Sequence, residues 1–439
     1  MHFSTLNQWL NWQTSLHARE IDLGLTRVKT VAERLNLLPP PFPIITVAGT
    51  NGKGSSVILL DAILSAANYR IGRYTSPHLL RYNERICIGG VGASDAQICH
   101  AFELIEQVRD DISLTVFEFG TLAAMLVFRH SEVDLAVLEV GLGGRLDAVN
   151  IFDPLIALVT TIDIDHVELL GNDRESIGFE KAGIFRPQRP AVCSDTHPPQ
   201  SLIQHAEQLQ TRLYCLDRDF NYTKTSDQAW SLQMIKSSPW LTDFVQLPLP
   251  GLFGDFQLQN AAGALMVIKL LKQEQIDSSL SKVRNFLIPD SAIHQGLVTA
   301  KLLGRFQVLP GRVTRILDVA HNPKGAQVFS KLLNQTAGAG ATHAVVGLLK
   351  DKDIAGIFKN IQSCITHWHV APLNVPRAAS AECLVEHLTA IGANQIDSYS
   401  SITEAYRYLL NHAKDGDRIV VFGSFYTVAE VLSVEMMSK

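Results

Sequence analysis

The stretch VAGTNGKGSS, Val47 to Ser56, decides how the rest of the chain is read. It follows an apolar, β-branched run, PIITVAG (Pro43–Gly49), which predicts a buried strand, and it leads into KGSSVILLDAILSAA, which predicts a helix. A glycine-rich turn between a strand and a helix offers free backbone N–H groups and the positive helix end to anionic phosphate. The loop departs from G-x-x-x-x-G-K-[ST] all the same. Val47 stands where that pattern has its first glycine, the glycine is at Gly49, and Gly54 separates Lys53 from Ser55. Thr50, Asn51, Gly52, Lys53, Gly54 and Ser55 are the expected ATP contacts, with Lys53 as a point charge and Ser55 as a hydroxyl for Mg²⁺. A solvated lysine on a plain glycine-rich turn is the competing reading.

The whole chain sets the frame for that loop. At 439 residues it predicts two or three domains. A hydrophobic content of 46% and a charged content of 18% describe a soluble globular protein. The net charge of −5 gives no case for nucleic acid or an anionic membrane as partner. The six cysteines are scattered without a C-x-x-C pair, which fits a reducing cytoplasm rather than a zinc knuckle or disulfide framework. The start, MHFSTLNQWLNWQ, does not read as a secretory leader. No apolar run reaches the roughly 18 residues of a membrane span. The expectation is a cytoplasmic protein, working as a monomer.

Short apolar strands alternate with helical patterns. VDLAVLEVG (Val133–Gly141) and PLIALVTTI (Pro154–Ile162) read as further strands, and LTVFEFGTLAAMLVFRH as a helix. The pattern slackens at SSPWLTDFVQLPLPGLFGDFQ, resumes with a helix from Asp255 to Leu271, and restarts around Ile293–Leu303. TRILDVA, THAVVGLL, ITHWHVAPL and DRIVVFGSF then alternate with helices. The predicted class is α/β: a mainly parallel-sheet, phosphate-loop ATP-binding domain over 1–296, and a smaller Rossmann-like α/β domain over 297–439.

G-T-N-G-K-G-S resembles the shortened loop of the Mur ligase superfamily, whose enzymes join an amino acid to a carboxylate using ATP. IDLGLTRV (Ile21–Val28), YTSPHLLRYNERI (Tyr74–Ile86), LTVFEFGTLAA (Leu114–Ala124), LEVGLGGRLDAVN (Leu138–Asn150), DRESIGFEKAGIFR (Asp173–Arg186) and DVAHNP (Asp318–Pro323) follow in order. Together they resemble the folylpolyglutamate synthase family, in particular its bifunctional bacterial branch, over nearly the full chain.

That resemblance implies site residues. Ser55, Ser76, Glu139 and His166 stand where the family places Mg²⁺ ligands, and Lys181 resembles a lysine carried as a carbamate that holds a second Mg²⁺. Asn260, Arg305 and Asp318 match ATP contacts, and His321 and Ser424 match contacts for L-glutamate. Asp22, Leu23 and Gly24, Thr115, Val116, Phe117 and Glu118, with Leu146, Asp147 and Ala148, match positions that contact 7,8-dihydropteroate. Val149 departs from the usual D-A-T-N by losing a hydroxyl. Taken alone, these residues leave plainer readings open. Glu139 fits a helix cap, His166 a structural hydrogen bond, Lys181 a solvated helical lysine, and Asn260 a helix-start cap. Arg305 fits a hinge salt bridge, His321 a turn, and Phe117 and Phe119 the core face of a helix, the reading favoured for Phe119.

The implied reaction is ATP-dependent amide formation through an acyl phosphate, with Lys53, Lys181 and His166 as catalytic residues. Dihydropteroate and reduced folates are the expected acceptors, and ATP with two Mg²⁺ ions the expected activating system. The alternatives are an enzyme that only lengthens the folate tail, a phosphate-loop ATPase, and a ligase of cell-wall precursors. The last is disfavoured because IDLGLTRV enters the loop strand directly.

Overall fold

The structure is a computed structural model that describes residues 3–235, 242–274, 285–336 and 340–437. The chain divides into two compact units, Met1–His78 with Tyr82–Lys301, and Leu79–Arg81 with Leu302–Lys439.

In the first unit, helices α1 (Leu6–Leu16) and α2 (Thr26–Arg34) precede strand β1 (Ile44–Ala48). Helix α3 (Lys53–Ala66) leads to β2 (Ile71–Tyr74), followed by the short β3 (Ile86–Ile88) and β4 (Val91–Gly92). Helices α4 (Asp95–Arg109) and α5 (Val116–His130) come before β5 (Leu135–Glu139) and β6 (Ile156–Val159). Then come α6 (Val167–Leu170), α7 (Arg174–Ala182), β7 (Pro190–Cys193), α8 (Gln200–Gln208) and β8 (Arg212–Cys215).

These strands form one sheet in the order β4-β3-β2-β5-β1-β6-β7-β8. From β2 to β8 all neighbours are parallel, whereas β3 and β4 run antiparallel at one edge. Every residue of β1, β5 and β6 is buried, as expected for central strands covered on both faces. The chain leaves β1 towards β5 and β2 on one side and returns to β6 on the other. This reversal opens a crevice at the carboxyl ends of the strands, where α/β sheets collect ligands. Helix α5 is buried continuously from Glu118 to Phe128, so it is a core helix with no solvated face along that stretch.

A second sheet, β11-β10-β9, comprises β9 (Phe220–Lys224), β10 (Ala229–Met234) and β11 (Phe244–Pro248), all antiparallel. Part of it occupies the stretch where the sequence pattern slackens; residues 237–241 of that stretch lie outside the described residues. Helices α9 (Phe256–Leu271) and α10 (Asp290–Thr299) complete the unit, with α10 packed on α3.

The second unit holds a sheet ordered β12-β13-β17-β14-β15-β16. Its strands are β12 (Gln307–Leu309), β13 (Thr314–Leu317), β14 (Thr342–Val346), β15 (His367–Val370), β16 (Ile396–Ser398) and β17 (Arg418–Phe422). Only β12 is antiparallel to its neighbour among these strands. Helices α11 (Pro323–Gln335), α12 (Ile354–Ile361), α13 (Ala381–Ala390), α14 (Ile402–His412) and α15 (Phe425–Met437) alternate with the strands. Asn322 caps α11 by accepting from the Gly325 N–H, with Pro323 at the first helical position. The two edge strands missed by the sequence reading, β12 and β16, are three residues each and only partly buried, so they carry little hydrophobic signal.

Candidate active site

The register of the first sheet puts Val47 of β1 opposite Glu139 of β5, and Ala48 opposite Val159 of β6. Three loops therefore start side by side. The loop after β1 is fixed by the one after β6. The Thr50 N–H donates to Thr161 O (2.7 Å), Thr50 Oγ1 donates to Asp163 O (3.0 Å), and the hydroxyls of Thr160 and Thr161 donate to Asn51 O. Gly52 has φ +90°, and a Cβ there would lie 2.3 Å from Asn260 Oδ1. Asn260 does not cap α9, whose N-cap is Asp255; it sits in the second turn, buried, and donates to Gln257 Oε1. The helix-cap reading of Asn260 is thereby overturned: the side chain walls the loop.

Gly52 gives the start of α3 no side-chain cap, so the leading amides of the helix are not claimed by a capping side chain. The Lys53 ammonium donates to Gly49 O (2.9 Å) and Thr50 O (3.3 Å), which folds it back over the loop. Ser55 is buried one turn into the helix.

Glu139 is 5% exposed at the end of β5 and accepts the Ser76 N–H at 3.3 Å, so Ser76 and Glu139 meet although far apart in sequence. No helix begins at Glu139, and the cap reading fails. His166 is itself the N-cap residue of α6, in a left-handed conformation at φ +51° that non-glycine residues adopt at a cost, and its side chain is half exposed.

Lys181 is not a solvated lysine. It is 3% exposed on α7, and burial with the nearby Lys53 charge pulls its pKa down to about 7, opposed by Asp165 and Asp147. The GLGGR turn lies on this helix: a Cβ at Gly144 would be 2.7 Å from Glu180 O, and the Arg145 N–H donates to that carbonyl. Asp147 is also buried, and its pKa is pushed up to about 7. Its two carboxylate oxygens accept the Leu142 and Val149 N–H groups, which holds the turn in shape.

The three segments expected around the pterin come together. Gly24 N–H donates to Leu146 O (3.2 Å), joining residues 22–24 to 146–148. Thr115 and Glu118 form the capping box of α5, each side chain bonding the other's backbone N–H. The Phe117 ring rests on Gly141, where a Cβ would be 2.7 Å away, and meets Tyr74 at 5.8 Å. Phe119 is fully buried among Trp12 and Phe102, a core residue. Val149 is fully buried as well, so no hydroxyl is called for there.

In the second unit, Arg305, Asp318, His321 and Ser424 gather beyond the ends of β13 and β17. Asp318 is buried and accepts the N–H groups of Phe306 and Ala320; burial raises its pKa and Arg305 opposes that shift. Arg305 and His321 both face the Phe425 ring, at 5.7 and 6.1 Å. Ser424 is buried and accepts the Tyr426 N–H. Sequence reasoning missed Phe425, and it missed Thr160, Thr161 and Asp163. T-T-I-D directly after an apolar strand was a signal for the latter three, because a polar strand end beside a phosphate loop has backbone to fix.

Among the described residues, no three His, Cys, Asp or Glu side chains are grouped as a metal centre. No described helix is long and apolar enough to cross a membrane.

The chain matches the family described as Mur ligase middle domain over residues 47–268 and the Mur ligase glutamate ligase domain over residues 304–425. It is 40% identical over 431 residues to the dihydrofolate synthase/folylpolyglutamate synthase of Escherichia coli (strain K12), covering 98% of this chain and 96% of that protein. A structure of E. coli FolC in complex with DHPP and ADP superposes with a TM-score of 0.90 at 40% identity, covering 99% of this chain and 98% of that one. A bifunctional folylpolyglutamate synthase/dihydrofolate synthase with Mn, AMPPNP and L-glutamate bound gives a TM-score of 0.87 at 44% identity, with the same shares covered.

Proposed function

The chain belongs to the dihydrofolate synthase/folylpolyglutamate synthase family of Mur ligases, and from that premise we propose how its residues join L-glutamate to a pteroate or folate carboxyl group. It is an ATP-dependent ligase. The observation that carries the mechanism is the convergence, at the ends of β5, β1 and β6, of an uncapped helix start with a buried carboxylate.

The amides of residues 50–55 and the α3 dipole hold the ATP phosphates, Lys53 neutralises their charge, and Asn260 keeps the loop in its open form. Ser55, Ser76, Glu139 and His166 would hold Mg²⁺, with Lys181 as a carbamate for a second ion. When bound, Mg²⁺ lowers the negative charge that an attacking carboxylate must approach. A half-neutral Lys181 near pH 7 supports the carbamate, because only the neutral amine adds to carbon dioxide.

The substrate carboxylate attacks the γ-phosphorus and ADP departs, leaving an acyl phosphate. The amine of L-glutamate then attacks the acyl carbon, and inorganic phosphate leaves with the carboxylate oxygen that bridged the two. Arg305 and Asp318 serve the nucleotide and His321 and Ser424 the glutamate. Residues 22–24, 115–118 and 146–148 seat dihydropteroate. Reduced folates as second acceptor, a monomeric working unit and a cytoplasmic setting, which suits six free cysteines, belong to the same proposal.

A product assay tests it. With MgATP and L-glutamate, both dihydropteroate and tetrahydrofolate should gain a glutamyl residue by mass. Turnover with tetrahydrofolate alone reduces the enzyme to tail lengthening. Full-rate ATP hydrolysis without a glutamylated product makes it an ATPase.

A further inference from the structure

Glu118 is 3% exposed, yet only one of its carboxylate oxygens is spent. Oε2 accepts the Thr115 N–H at 2.8 Å, whereas Oε1 is buried without a hydrogen bond. Arg27 of α2 lies 3.3 Å from that oxygen through Nη2, close enough for charge attraction but without hydrogen-bond geometry. The same guanidinium is anchored elsewhere: Nη1 donates to Asp22 Oδ2 (2.5 Å) and Nη2 to Asp22 O (2.8 Å). Asp22 has other basic neighbours too, since Arg19 Nη1 (3.8 Å) and the His17 ring nitrogen Nε2 (3.4 Å) also approach it. A buried carboxylate oxygen without a donor is costly unless a ligand completes it.

We propose that Arg27 is a positioning residue for the acceptor substrate, anchored on Asp22 with Nη2 facing Glu118 so that Oε1 is held in place for the N–H donors of a 2-amino-4-oxo-pteridine ring. Within the seat, the Asp22 side chain is engaged by Arg27, whereas Glu118 keeps one carboxylate oxygen for the ligand. Arg27 lies within IDLGLTRV, but its partnership with Glu118 carries no sequence signal, because the bridge from Asp22 to Glu118 spans 96 positions. The inference rests on the pterin seat proposed above.

The test compares Arg27→Met and Arg27→Lys with the parent enzyme in steady-state turnover, using dihydropteroate as acceptor. Losing one charge-supported hydrogen-bonding arrangement should raise KM for dihydropteroate about 10- to 100-fold, with KM for ATP unchanged. Arg27→Lys should fall between the two. In a Glu118→Gln background, Arg27→Met should add no further loss, since the carboxylate charge it faces is gone. An unchanged KM in Arg27→Lys overturns the proposal, as does an equal fall in activity on every substrate, the mark of a merely structural role. Should Arg27→Met not fold, Arg27→Lys and the Glu118→Gln pair carry the same decision. A parent enzyme that turns over tetrahydrofolate but not dihydropteroate sinks the pterin seat itself, and this inference with it.

Discussion

Lys181 and Gln13 are both buried polar side chains, and only the first has a proposed role. Lys181 has its pKa drawn from 10.5 to about 7, so the folded protein binds fewer protons than the unfolded chain between those values. The cost of burying the cation is therefore complete below pH 7, shrinks as pH rises, and vanishes above 10.5. In buffer purged of carbon dioxide, Lys181→Met should be more stable than the parent at pH 6, with the gap closing towards pH 10. Denaturant melts across that range check it, and a gap independent of pH would contradict the depressed pKa. The carbamate proposed at Lys181 would offset this cost, since it forms from the neutral amine. Gln13 has no such role: on the buried face of α1 beside Trp9, both its amide atoms lack hydrogen bonds. Gln13→Leu should stabilise the protein by about 1–3 kcal/mol and leave turnover unchanged, as read by thermal melting and phosphate release.

At the scale of elements, the β1–loop–α3 unit depends on Gly52. Alanine there would face both a left-handed backbone and the Asn260 amide at 2.3 Å. Gly52→Ala should weaken ATP binding at least tenfold and cost about 1–3 kcal/mol of stability. Gly392→Ala is the matched control: it also has a left-handed φ, of +81°, but nothing within 4 Å, so ATP affinity should not move. Fluorescence titration with an ATP analogue separates the two; equal effects would mean that backbone strain alone, not the Asn260 wall, governs the loop. This unit was legible from sequence because strand, glycines and helix are contiguous. The burial of Lys181 was not legible: it shares a helical face with the buried Ile177, but a lysine so placed can carry its ammonium out to water, and the residues alone fitted a solvated side chain. The Asp22–Arg27–Glu118 bridge was not legible, since it depends on how α2 is set against α5. The antiparallel β9–β11 sheet was missed because its strands are only partly buried and lack a continuous apolar run.

Across the whole molecule, each unit carries its polar cluster at the carboxyl ends of its own central strands, β1, β5 and β6 in one and β13 and β17 in the other. Parallel sheets repeat this arrangement because their helix starts and strand ends fall on one edge, where charge is stabilised by backbone dipoles. The chemistry attributed to this protein uses that edge for a single purpose: passing a phosphoryl group to a carboxylate so that phosphate can later leave. Dihydropteroate labelled with oxygen-18 in its carboxyl group reports on that transfer directly. The account predicts that labelled oxygen appears in the released inorganic phosphate, at up to one atom for each amide formed. Amide formation with wholly unlabelled phosphate would contradict it.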